Sequence, residues 1–346
     1  MPDLPPIERF TSQHGATIYR LPCEAFPGFV VYAHLVLGLG KPLLVDAGSG
    51  YGSCTTQLLA ALAAVRDDFG EAFVPAELGT VLITHGHIDH FGGLHGLLEQ
   101  IGPPAAEIEI AIHELDRGVL TAYQERVAVA AKGLRFFLRQ AGVAPDAQHE
   151  LMELHGYSKR HVRNVPVTTT LADGQTLRDG ALRVVHVPGH CPGQVCVEVG
   201  DVLLAADHIL ERTSPHQSPE SIMPSTGLGH YLNSLSVVAE RGRAYSVALG
   251  GHEGPIRDVP GRVAQIVAGH QRKLDRLLTI LADIGPAAIQ TICRRMYPAV
   301  KGFHVLLALE EVGAHVEYLY QRDRLSVVNL DEIEREENPP LLYAAK

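Results

Sequence analysis

Cysteine is scarce and basic residues are outnumbered, and no run of apolar residues is long enough to cross a bilayer. A membrane-spanning helix needs about 20 such residues. The five cysteines, Cys23, Cys54, Cys191, Cys196 and Cys293, are odd in number and none stands in a CxxC pair. That fits free thiols in a reducing compartment better than a disulfide framework. Lys and Arg total 29 against 39 Asp and Glu, a formal net charge of -10. Broad non-specific nucleic-acid binding needs clustered positive charge, so this balance argues against it. The first residues, Met1-Pro2-Asp3-Leu4-Pro5-Pro6, have no basic segment followed by an apolar one. The reading is a soluble cytoplasmic protein without a membrane partner. Internal repeats and low-complexity tracts are also missing. What remains is ordinary globular material, 46% hydrophobic and 20% charged, in 346 residues, enough for one large domain and a small one.

Histidine is abundant, with 19 residues, and its clustering carries information. The stretch Thr84-His85-Gly86-His87-Ile88-Asp89-His90-Phe91-Gly92-Gly93 places three imidazoles and a carboxylate within six positions. It follows the apolar run Thr80-Val81-Leu82-Ile83, which reads as a buried strand. Imidazole nitrogen and carboxylate oxygen suit zinc and other first-row divalent metals.

Along the chain, strand-like runs alternate with helical ones. Thr17 to Leu21, Phe29 to Leu37 and Pro42 to Asp46 read as strands, and Thr55 to Phe69 as an amphipathic helix. Leu94 to Ile101 reads as helix and Glu109 to His113 as strand. Residues 114–163 form a mostly helical stretch that can serve as a lid or pack on a sheet edge. Leu182 to Val187 is a strand, residues 194–206 a hairpin, and Ser246 to Leu249 another strand. His190, Asp207 and His252 each fall just past a strand end, where loops on a rigid sheet gather ligands. With His85, His87, Asp89 and His90 they make seven candidates, more than one tetrahedral zinc uses. Two divalent metals are implied, with Asp207 as a possible bridge. Such a pair can hold a hydroxide at neutral pH and polarise a carbonyl or phosphoryl oxygen. From Pro260 the order becomes helix, helix, helix, strand, the outline of a winged-helix module.

These motifs resemble the metallo-β-lactamase superfamily. HxHxDH stands as His85 to His90, Pro-Gly-His as Pro188-Gly189-His190, the late Asp in Ala206-Asp207-His208, and the last His in Gly251-His252. Asp46-Ala47-Gly48 matches an early Asp-x-Gly turn that fixes a loop near the site. The family usually has Gly where Ala206 stands. The resemblance implies a four-layer α/β fold, an αβ/βα sandwich with helices outside two facing sheets. It assigns His85, His87 and His190 to one metal, Asp89, His90 and His252 to the other, and Asp207 to both. Asp89 and Asp207 are the catalytic candidates, Asp89 also orienting the attacking hydroxide. Zinc is the expected metal, with iron or manganese as alternatives. Residues 269–274, 285–286 and 306–325 resemble the winged-helix extension of β-lactamase-like proteins. The implied domains are 1–259, catalytic, with the insertion at about 114–163, and 260–346, winged-helix-like.

Tyr231, His208 and His34 are candidates for substrate contact, Tyr231 as a helix cap or oxyanion donor. His186 and His113 read as strand residues and Cys191 as a small buried side chain. The expected activity is metal-dependent hydrolysis of a small ester, thioester or lactone. A phosphodiesterase or endoribonuclease, with the C-terminal module guiding nucleic acid, is the alternative, and the acidic balance weighs against it. An iron-bearing redox protein or a non-catalytic signalling member is a third reading. A homodimer is compatible with the C-terminal helices, whose nearly balanced charge favours packing over tight nucleic-acid binding.

Overall fold

Short buried apolar runs such as Leu43–Val45, Thr80–Ile83, Val202–Ala206 and Val247–Gly250 supply the central strands of two sheets. In the computed structural model, which describes residues 4–157 and 161–346, both sheets lie in one compact unit. That unit comprises Met1–Tyr123, His161–Pro215 and Ser234–Val263. The first sheet has seven strands in sequence order: β1 (Glu8–Thr11), β2 (Thr17–Phe26), β3 (Phe29–Leu37), β4 (Leu43–Val45), β5 (Thr80–Ile83), β6 (Glu109–His113) and β7 (Thr169–Leu171). It is antiparallel from β1 to β4 and parallel from β4 to β7. The second sheet contains β8 (Thr176–Leu177), β9 (Leu182–His186), β10 (Val195–Val199), β11 (Val202–Ala206) and β12 (Val247–Gly250). Its order is β12-β11-β10-β9-β8, and only the β11–β12 pairing is parallel.

One apolar core joins the sheets face to face. Ile18, Val36, Val45, Leu82 and Leu171 from the first pack with Val184, Val197, Leu204 and Leu249 from the second, all buried. Burying side chains of this size gains roughly 1.5–3 kcal/mol each before entropy is counted. Four helices belong to this unit alone: α1 (Cys54–Asp67), α2 (Ile88–Phe91), α3 (Leu94–Ile101) and α4 (Arg117–Thr121). On α1 the buried Cys54, Leu58, Ala61, Leu62 and Val65 recur at helical spacing and face β2. This is the sandwich that the motifs imply.

The second unit comprises Gln124–Arg160, His216–Asn233 and Ala264–Lys346. Nearly all of α5 (Tyr123–Gln140) and the whole of α6 (Pro145–Tyr157) belong to it. Of the helical stretch expected at 114–163, residues 158–160 lie outside the described residues. Two further helices, α7 (Leu228–Arg241) and α8 (Val259–Ile284), contribute residues to both units. Then come α9 (Ile289–Met296), α10 (Phe303–Gln321), β13 (Leu325–Val327), α11 (Leu330–Arg335) and β14 (Tyr343–Ala345), with β13 and β14 antiparallel. Gly285, at φ +75°, ends α8 where Gly-Pro breaks the helical pattern.

Within this unit α10 gathers a polar segment. Glu310 Oε2 meets His216 Nε2 at 2.8 Å, Glu311 Oε2 accepts from Gln217 N at 2.9 Å, and Glu317 Oε2 accepts from Glu220 N at 2.7 Å. These glutamates are therefore engaged with the chain itself. All five cysteines are buried and free; Cys23 and Cys54 bring their sulfurs to 3.4 Å. Among the described residues no helix is long and apolar enough to cross a membrane.

Candidate metal centre

Every ligand-type residue of the motifs follows the C-terminal end of a strand. β5 delivers His85, His87, Asp89 and His90; β9 leads to His190, β11 to Asp207 and β12 to His252. The loops bring these seven into two adjacent groups. His85, His87 and His190 offer nitrogens that lie within 4.8 Å of one another, and Asp89, His90, Asp207 and His252 do the same with nitrogens and oxygens. Asp207 reaches into both: its Oδ2 is 3.7 Å from His190 Nε2 and 3.4 Å from His252 Nε2, and its Oδ1 is 3.3 Å from His90 Nε2. Asp89 Oδ2 lies 3.2 Å from His252 Nε2.

The two groups differ in charge. Burial, then the neighbouring His90, pushes the His85 imidazole well below its ordinary pKa. Burial and His190 lower His87 to about 3, so both are neutral at physiological pH. In the second group burial opposes every charge but the pairing wins. His252 rises to about 10 against Asp207 and Asp89, and His90 rises well above its usual range beside Asp207, Asp46 and Asp89. Asp89 falls to about 2 beside His90 and His252, and Asp207 falls well below the usual carboxylate range for the same reason.

A set of polar contacts aims the rings. Asp46, at φ +66° just after β4, accepts from Thr84 N (2.8 Å), Thr84 Oγ1 (2.9 Å) and His90 Nδ1 (2.8 Å). Thr84 Oγ1 in turn lies 3.0 Å from His85 Nδ1. One buried carboxylate thus acts on His90 directly and on His85 through a hydroxyl. Gly86, between two ligand-type histidines, donates its N–H to Asp116 Oδ2 at 2.9 Å. His252 Nδ1 donates to Val30 O at 2.7 Å. Asp116 and Arg20, which holds the backbone after His252, escape the sequence reading; each is a single charged residue outside any metal motif.

Glycine is required at one point here. A Cβ on Gly251 would sit 2.5 Å from Asp207 Oδ1 and 2.5 Å from His90 Cε1. Ala206, immediately before Asp207, adopts φ +45° at a break in the β11–β12 register, and its carbonyl accepts from Gly251 N at 2.8 Å. This left-handed backbone is the physical reason for glycine at such a position.

The groups fit divalent metal. The buried His85 Nε2 has no hydrogen-bond partner among the described residues, although its ring is oriented from the other side by Thr84. Leaving such an atom unpaired costs about 1–3 kcal/mol, which a metal bond would remove. The nitrogen and oxygen donors, several with an outer partner that orients the ring, are the chemistry of a two-metal site.

Other expected residues lie elsewhere or deeper. His34 on β3 is 2% exposed, and burial, Arg20 and His90 lower it to about 3. His208 is fully buried and lowered by that burial to about 3. Tyr231 is fully buried in the second unit, its ring edge-on to His270 at 5.6 Å. His186 stacks on His113 with centroids 4.0 Å apart, outside both ligand groups. A third cluster, His270, Glu311 and His315, is a hydrogen-bonded relay. His270 Nδ1 meets His315 Nε2 at 3.1 Å, His315 Nδ1 donates to Glu311 O at 2.6 Å, and Lys273 Nζ neutralises the Glu311 carboxylate at 2.6 Å.

A two-sheet sandwich with paired His/Asp groups at its strand ends defines a metal-dependent hydrolase of the metallo-β-lactamase type. The chain belongs to that family: residues 27–284 match the model of the metallo-beta-lactamase superfamily. It is 23% identical over 318 residues to "Probable metallo-hydrolase YqjP" of Bacillus subtilis (strain 168), covering 89% of this chain and 92% of that one. It is 31% identical over 168 residues to "Acyl-coenzyme A thioesterase MBLAC2" of Gallus gallus, covering 47% of this chain and 51% of the other. Among solved structures, the metallo-beta-lactamase family protein TTHA1429 from Thermus thermophilus superposes with a TM-score of 0.69 at 27% identity, over 95% of this chain and 98% of that one.

Proposed function

We propose that this hydrolase is dinuclear and cleaves a small ester, thioester or lactone. The observation that carries the reading is Asp207, whose carboxylate stands between a three-imidazole group and a second group of Asp89, His90 and His252. His85, His87 and His190 would hold the first ion, Asp89, His90 and His252 the second, and Asp207 would meet both. Bound divalent metal, for which this donor set suits zinc and also accepts iron or manganese, supplies Lewis acidity and a water-derived nucleophile at neutral pH. The protein contributes the rest. Asp89, held at about 2, stays a hydrogen-bond acceptor and orients the attacking water. Asp46 and Thr84 keep the ligating face of His90 and His85 directed inward. Acyl substrates are supported by the thioesterase activity in the printed name of the Gallus gallus relative, and the net charge of -10 weighs against nucleic acid as the substrate.

The test is a screen of zinc-loaded protein against p-nitrophenyl acetate, short acyl-coenzyme A thioesters, a lactone and bis-p-nitrophenyl phosphate. Turnover of an acyl substrate, lost by more than the ~10–100-fold typical of an outer partner when His87→Ala removes a ligand, is the expected result. Turnover confined to the phosphodiester would overturn the acyl reading.

A further inference from the structure

Arg20 heads the fully buried side chains by volume among the described residues and is 1% exposed. Taking a guanidinium out of water is costly unless hydrogen bonds and charge replace its hydration. Its carboxylate partner, Glu8, faces it across β1 and β2 at 2.9 Å and is 36% exposed, so that ion pair alone does not require burial. The deeper end of the group does something else. Arg20 Nη2 donates to Glu253 O and lies 3.4 Å from His252 O, while its Cζ rests 3.3 Å over the Tyr32 ring. Tyr32 N donates to Gly251 O at 2.8 Å. The three consecutive carbonyls of Gly251, His252 and Glu253 are therefore all met by N–H groups from β2 and β3.

We infer that Arg20 is a positioning residue for the second ligand group, holding the turn that presents His252. The inference rests on the reading that Asp89, His90, Asp207 and His252 take a metal ion. The turn needs an external hold because Glu253 stands at φ +61°, a left-handed conformation that an ordinary side chain adopts at a cost. Its own carboxylate secures the far side, accepting from Arg212 N at 2.6 Å and Thr213 N at 3.2 Å. With Val30 O fixing Nδ1, the backbone position of His252 determines where Nε2 lies relative to Asp89 Oδ2 and Asp207 Oδ2. Among the described residues the Arg20 guanidinium contacts Glu8, Tyr32 and the carbonyls of His252 and Glu253, so its effect belongs to the second group. A lysine would keep the charge but lacks the planar fork that serves Glu8 and the carbonyls together.

The experiment is a Zn2+ titration of metal-free protein against a chromophoric chelator, with metal content counted after gel filtration, on wild type, Arg20→Met and Arg20→Lys. The expected result is two ions in wild type. Arg20→Met weakens the second binding step by about 10–100-fold, the usual effect of losing an outer partner, and leaves the first unchanged. Arg20→Lys falls between them. A merely structural role would weaken both steps together, and that outcome overturns the inference, as does an unchanged second step in either variant. If Arg20→Met does not fold, Arg20→Lys decides alone: a second step weakened several-fold supports the role and a wild-type one refutes it. A wild type that takes fewer than two ions would overturn the two-metal reading itself and this inference with it.

Discussion

Asp46→Asn tests how one buried carboxylate could control both ligand groups. Asparagine tolerates the φ of +66° at this position, so the backbone has no reason to move. If the amide oxygen keeps Thr84 N, at 2.8 Å in the parent, the amide nitrogen takes the place of Oδ2. Oδ2 now accepts from His90 Nδ1 at 2.8 Å and from Thr84 Oγ1 at 2.9 Å. An NH2 group there can only donate. His90 Nδ1 must give up its proton and become an acceptor, which leaves the ring's remaining proton on Nε2, the atom that faces Asp207 and Asp89. Thr84 Oγ1 must turn its hydrogen toward His85 Nδ1, 3.0 Å away, which forces the same tautomer change on His85. Reversing an outer hydrogen bond of this kind costs about 10–100-fold in metal affinity, or roughly 1.4–2.7 kcal/mol per site. A competitive Zn2+ titration should therefore show both binding steps weakened, the His90 step more. Thr84→Val should weaken only the first, because it removes the hydroxyl from His85 and leaves the His90–Asp46 bond in place. Wild-type affinity at both steps in Asp46→Asn would refute the tautomer argument.

Three further expectations concern the scaffold. Gly251→Ala places a methyl 2.5 Å from Asp207 Oδ1 and from His90 Cε1, so it should cost about 1–3 kcal/mol by chemical denaturation and abolish the second metal-binding step; unchanged metal content would count against this packing. Ala206→Gly relieves a left-handed alanine, worth about 1–2 kcal/mol, and adds about 0.4–1 kcal/mol of unfolded-state entropy, so it should stabilise by roughly 0.5–1 kcal/mol; a destabilised variant would contradict it. The pair His216–Glu310 carries a pH signature: burial opposes the His216 charge, yet Glu310 and Glu311 raise its pKa, while Glu311, opposed by burial and aided by Lys273, falls to about 2. The His216 contribution is complete below the ordinary histidine pKa of about 6.5 and is lost as pH rises through its raised folded value. The Glu311 contribution is complete above about 4.5 and is lost as pH falls toward 2. Melting temperature followed from pH 5.5 to 8.5 should thus fall more in wild type than in His216→Gln, and parallel curves would refute the coupling.

The ligand loops are legible because their information is local. His85 to His90 lie in one turn after one strand, and His190, Asp207 and His252 each follow a strand whose apolar run is unmistakable. The strands β1, β7 and β8 are not legible because they are short and half polar; Glu8–Thr11 alternates partly and fully exposed residues. Arg20 is illegible for a different reason. A single arginine inside a strand normally keeps its charged end in water, and only tertiary structure brings it to carbonyls 232 and 233 residues away. The same holds for Tyr231, whose partner His270 is 39 positions on and unrelated by any pattern. The grouping of residues 124–160 and 216–233 with the C-terminal helices is likewise carried by long-range pairs such as His216–Glu310.

The charge difference between the two ligand groups explains how so many carboxylates persist in a buried place. The side chains of Asp89 and Asp207 are 13% and 10% exposed, and isolated carboxylates there would protonate. In the metal-free chain the raised His90 and His252 imidazoles supply two positive charges against them. On the proposed reading, the divalent ion of the second group would replace those two protons with two charges of the same sign, and the electrostatic balance of that group would be the same in both states. The first group needs no such exchange, since burial already keeps His85 and His87 neutral with lone pairs available. A fold that is balanced with protons or with metal can form before metal arrives, which a set of unpaired carboxylates could not do.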